Sequence, residues 1–96
     1  LRHELFYRDA LVFEKLQSST VALVNPNTGK GVEMEFSQFP LLGIWSAAND
    51  GPYVCLEPWT GCGTIATESD QFEQKKGMES LPAGQQKTYA FSVRFL

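Results

Sequence analysis

The sequence has little of what nucleic-acid binding, metal chelation or membrane insertion requires. Its 96 residues carry eight Lys and Arg against eleven Asp and Glu, a formal net charge of −3. The basic residues are scattered, so nucleic acid is excluded as the expected partner. There is one histidine and there are two cysteines. Their spacing fits no zinc motif, and no metal site is expected. No apolar run approaches membrane-spanning length, and no charged-then-apolar leader opens the sequence. The expectation is a cytoplasmic protein that does not contact a membrane. Cys55 and Cys62 then read as free thiols in a reducing compartment; a disulfide between them needs the loop after Cys55 to fold straight back. No internal repeat and no low-complexity segment is present.

What is present is apolar material. Hydrophobic residues make up 43% of the chain, with seven Phe, three Tyr and two Trp, which is too much for disorder. The length supports a single domain, 1–96, with a thin core.

The segments are short and punctuated by turn residues. Ala10-Leu11-Val12-Phe13 is an apolar run that fits either a strand or one helical turn. Thr20 to Val24 is rich in β-branched residues and reads as a strand. Asn25-Pro26-Asn27-Thr28-Gly29-Lys30 has the chemistry of a turn. From Gly31 to Phe36 the pattern alternates: Val32, Met34 and Phe36 face one way, Glu33 and Glu35 the other, which makes a hairpin with one dry face. Leu41-Leu42-Gly43-Ile44-Trp45 is apolar on both faces and is expected to be central. Gly43 in it marks a close backbone approach or a bulge, and Trp45 reads as core.

Tyr53-Val54-Cys55-Leu56 is a further apolar run, ended by Glu57-Pro58-Trp59. Pro58 pushes the residue before it toward extended geometry, so Glu57 is expected at a strand end with a fixed direction. Such a carboxylate is either a general base or an ordinary exposed strand-end side chain. Trp59 beside it either stacks on a ligand ring or packs at the rim of the core. Trp59 to Thr67 reads as an ordered loop. The glycine-rich Gly61-Cys62-Gly63-Thr64 within it lacks the lysine and the following helix of a phosphate-binding loop. Asp70 and Glu73 have capping-box spacing for one short turn over 70–76, closed by Gly77. Met78 to Leu81 is expected to be a strand. Leu81-Pro82-Ala83-Gly84 fits a type I turn. Thr88 to Leu96 alternates throughout, with Tyr89, Phe91, Val93 and Phe95 on one side. Six or seven short strands with few helical residues predict an all-β fold, an antiparallel β-sandwich.

Two stretches carry a resemblance to a known family. Phe39-Pro40-Leu41-Leu42-Gly43-Ile44-Trp45 and Tyr53-Val54-Cys55-Leu56-Glu57-Pro58-Trp59-Thr60-Gly61 resemble the C-terminal region of aldose 1-epimerases, the galactose mutarotase family, and in particular its bacterial LacX-like branch. His3-Glu4-Leu5-Phe6, Asp9 to Phe13 and the Gly77 to Leu96 ending are similar as well. The resemblance implies that residues 1–96 are the C-terminal portion of a larger β-sandwich, a supersandwich that binds a free sugar. It implies an isomerase that interconverts the α and β anomers of a galactose- or glucose-type monosaccharide, with no cofactor. Glu57 matches the glutamate that acts as base on the C1 hydroxyl, and Trp59 is the candidate sugar contact. The family's acid is a histidine lying upstream of the matching region. His3 is outside that motif and is read as a surface histidine, so the catalytic acid is expected to be missing from this chain. The other class of function is a non-catalytic carbohydrate-binding or self-associating β-sandwich. A half-sandwich leaves uncovered the face of Tyr89, Phe91, Val93 and Phe95 or that of Leu42 and Ile44, which predicts a homo-oligomer.

Overall fold

The computed structural model describes residues 1–96, and it is all-β: six strands in two three-stranded antiparallel sheets, with two isolated 3₁₀ turns at His3–Phe6 and Phe72–Gln74. The strands are β1 (Leu11–Glu14), β2 (Thr20–Val24), β3 (Gly31–Glu35), β4 (Leu41–Trp45), β5 (Cys55–Trp59) and β6 (Ser92–Phe95). One sheet has the order β1-β4-β5 and the other β2-β3-β6. No helix is long and apolar enough to cross a membrane.

The β2–β3 hairpin forms where turn chemistry places it. The Asn25 side chain accepts from the Asn27 N–H at 2.9 Å, the Asn25 carbonyl accepts from the Gly29 N–H at 2.9 Å, and Gly29 takes a positive φ of 71°. Pairing Val21 with Met34 and Leu23 with Val32 turns the apolar side chains of both strands to one face.

The two sheets meet through that face. Met34, Phe36 and Leu42 are buried together, with Val21, Phe39, Ile44 and Leu56 packed around them. Leu42 and Ile44 come from β4, the central strand, as its two apolar faces predicted. Alternation then sends Leu41, Gly43 and Trp45 to the opposite side of the sheet. The β4–β5 connection is tied by the Ser46 hydroxyl, which donates to the Tyr53 carbonyl at 2.7 Å.

Several expectations are corrected. Glu57 is the middle residue of β5, not its end, and Pro58 lies inside the strand, opposite Leu42. Proline is tolerated there because β5 is an edge strand, where a missing N–H breaks no inner ladder. Met78–Leu81 is not a strand. The Asp70–Glu73 capping box does not form: Gln71 caps the short turn without a side-chain bond. The turn near Pro82 shifts by one residue, with the Gln85 N–H donating to the Pro82 carbonyl. Gly84 then occupies its third position at φ 77°, the mark of a type II turn. The last strand starts at Ser92 rather than Thr88, because β3 offers partners only as far as Glu35, opposite Ser92. Before that point the Ala90 N–H is taken by the Gln38 side chain at 2.9 Å, and Tyr89 and Phe91 lean on Phe39 with ring centroids 5.7 and 6.3 Å away.

Candidate functional site

The face of the β1-β4-β5 sheet turned away from the core is the candidate site. Register assigns its residues. Val12 on β1 and Glu57 on β5 flank Gly43; Glu14 and Trp59 flank Leu41; Cys55 lies beside Trp45. Glu57 is therefore midway along the edge strand β5, held by the backbone ladder to β4 on its inner side.

Two residues apart on one strand, Glu57 and Trp59 share this face, and they are bonded to each other. The Trp59 indole Nε1 donates to Glu57 Oε2 at 3.0 Å. Gly43 makes this arrangement possible. A Cβ added at Gly43 would stand 2.7 Å from Trp59 Cζ2 and 2.9 Å from Cε2, so the indole occupies the space a side chain would fill. The glycine marks a close approach, of a ring rather than of backbone.

Trp45 departs from its expected core position. It is half-buried on the Glu57 face, with its ring 6.0 Å from that of Tyr53. Odd and even positions of a strand face opposite ways, and Leu42 and Ile44 had already taken the core side.

Beyond Trp59 the face is bounded by the 60–78 region. Glu14 Oε2 accepts from Lys76 Nζ at 2.7 Å. That hydrogen bond, with the lysine's charge, holds the Glu14 carboxyl below its usual range and raises the Lys76 ammonium. Glu68 fastens the loop from within by accepting from the backbone N–H groups of Lys76 and Ile65. These two bonds lower its pKa, with that from Lys76 the larger influence. Gly77, at φ 76°, lies against Gly61, where an added Cβ would come within 2.9 Å of the Gly61 Cα. The hollow beside them is open and shallow, about 580 Å³, lined by Pro58, Trp59, Thr60, Gly61, Cys62, Gly63 and Met78. Trp59 lines this hollow and Glu57 does not.

His3 stands elsewhere. Its Nδ1 is 4.0 Å from Asp50 Oδ1, which also accepts from the Tyr7 hydroxyl at 2.8 Å. It lines a hollow of about 130 Å³ with Phe6, Ser46 and Tyr53. Both cysteines are free thiols. The structure brings Glu57 and Trp59 together and keeps His3 in a separate cluster. Sequence reasoning missed the Glu14–Lys76 pair, whose members are 62 positions apart with no local signal.

Over 75 residues the chain is 39% identical to two proteins of Lactococcus lactis subsp. lactis, "Protein LacX, chromosomal" and "Protein LacX, plasmid". Each match takes in 78% of this chain and 25% of the relative, so the chain spans about a quarter of the length of the curated relatives it matches. No family model matches the chain, and no solved structure matches it.

Proposed function

We propose that this chain is a LacX-like member of the galactose mutarotase-like family and supplies the general base of an aldose 1-epimerase site. The observation that carries the reading is the placement of Glu57. It is midway along the edge strand β5, opposite Gly43, with one carboxylate oxygen hydrogen-bonded to the Trp59 indole. In the reaction Glu57 takes the proton of the sugar's C1 hydroxyl. The C1 oxygen becomes a carbonyl, the bond from C1 to the ring oxygen breaks, and an acid protonates the ring oxygen. Rotation about C1–C2 and the reverse steps give the other anomer. Each proton transfer of this kind contributes about 10²- to 10⁴-fold. Trp59 offers ring surface beside the reacting carbon. The acid belongs to a part of a LacX-type protein beyond these 96 residues, since the only histidine, His3, is engaged near Asp50. The substrate is a free galactose- or glucose-type sugar, and the reducing cytoplasm fits the two free thiols.

Polarimetry of fresh α-galactose and α-glucose tests the proposal, with wild type and Glu57→Gln run at equal concentration. With the acid beyond these 96 residues, the chain alone is expected to give a rate equal to buffer, and the full-length protein that contains it a rate above buffer that is lost in Glu57→Gln. A full-length rate that survives the substitution overturns the assignment of the base, and a rate above buffer from the 96 residues alone overturns the placement of the acid beyond them.

A second reading, a non-catalytic self-associating sandwich, is favoured by β6 and the residue before it. Phe91, Val93 and Phe95 are 54%, 47% and 85% exposed. A solution mass above that of one chain, with no mutarotation by the full-length protein, would select it.

A further inference from the structure

We infer that Trp59 is a positioning residue for Glu57, seated by Gly43, and that its indole N–H fixes which carboxylate oxygen is left for the substrate. The inference deepens the reading of Glu57 as base and rests on it. Three observations carry it independently of any relative. The indole N–H and the carboxylate are 3.0 Å apart across a two-residue spacing on one strand. The register sets Gly43 directly opposite Glu57, at the one place on β4 where a side chain would displace the ring. The indole nitrogen is a donor only, so it serves a carboxylate and gives nothing to a competing donor.

The geometry divides the carboxylate's work. Oε2 is held by the indole, which leaves Oε1 to accept a hydroxyl proton. A glutamate side chain on a bare sheet face samples several rotamers. One tethered at Oε2 keeps a fixed direction, and effective base catalysis depends on such placement. Gly43 acts one step further back, since any larger residue there lifts the ring from the strand and breaks the tether.

The test is spectroscopic and needs no turnover. In ¹⁵N-labelled protein the Trp59 indole N–H signal is expected to move with pH in one step, as the carboxylate it touches gains its proton. The step is expected to vanish in Glu57→Gln and to persist in Glu14→Gln, while the Trp45 indole serves as the internal control. Trp59→Phe keeps an aromatic ring over Gly43 and removes the donor. In that variant the two β-proton couplings of Glu57, distinct in wild type, are expected to average. Gly43→Ala should abolish the indole step while the β4–β5 amide pattern remains folded. A flat indole signal in wild type, a step that survives Glu57→Gln, or Glu57 couplings unchanged by Trp59→Phe overturns the inference. Failure of the base assignment shows up differently: polarimetry of the full-length protein then gives no effect of Glu57→Gln, while all these spectral changes remain.

Discussion

The two sheets are built alike, three short antiparallel strands each, yet their apolar faces meet different fates. In the β1-β4-β5 sheet the central strand is covered on both sides: Leu42 and Ile44 by the core, Gly43 by the Trp59 indole. In the β2-β3-β6 sheet only one end is covered. Met34 is 3% exposed, while Val93, its partner in register on the same face, is 47% exposed. Apolar alternation therefore marks which side of a strand is dry in principle, and the extent of the opposing layer decides how much of it is dry in fact.

The largest test of that contrast is Leu42→Ala. Truncating a fully packed leucine costs about 2–5 kcal/mol, a large share of the roughly 5–15 kcal/mol that holds a domain of this kind together. Urea denaturation should show a sharp fall in midpoint. A loss below about 1 kcal/mol would mean that the sheets do not depend on this contact. Next comes Gly43→Val, which forces the indole off β4. Overpacking of this type costs about 1–3 kcal/mol, and Trp59 fluorescence should report a more exposed ring. Phe95→Ser is expected to fall within about ±0.5 kcal/mol, as surface changes do. Its effect should appear instead as a lower solution mass, if β6 is where copies meet. A Phe95→Ser loss as large as that of Leu42→Ala would erase the distinction between the two sheets. The smallest effect concerns the loop that bounds the site. Glu68 has its pKa lowered in the folded chain, so its contribution is fully present above its unfolded value and is lost as pH falls through the folded one. Amide exchange at Ile65 and Lys76 should speed up on that acid side, with β4 amides unaffected, and Glu68→Gln should show the faster exchange already at neutral pH.

The strands that read clearly from sequence were those whose partners lie close in the chain or whose composition leaves one choice. The β2–β3 hairpin and β4 are of this kind. The end of the chain was over-read, because alternation from Thr88 onward says nothing about where β3 stops. Pro58 misled in the other direction. It suggested the end of a strand, and only knowledge that β5 is an edge allows a proline to continue it. The candidate site was legible as residues and illegible as geometry. Glu57 and Trp59 were picked out side by side, and Gly43 was marked as a close approach. The register that sets Gly43 opposite Glu57, and so explains all three together, is a property of pairing across the nine-residue connection from 46 to 54. Trp45 was misplaced for the same reason, since the parity of β4 is fixed by Leu42 meeting Met34 and Phe36.

Pro58 also gives the molecule a direction. A strand that extends a sheet needs a continuous row of donors and acceptors along the border it joins. The border at β5 has a missing donor at its fourth residue. The border at β1, four residues with no proline, has no such gap. Any strand recruited to this sheet, from the same polypeptide or another, is therefore steered toward β1, and the flank beside Glu57 stays free for small molecules to approach.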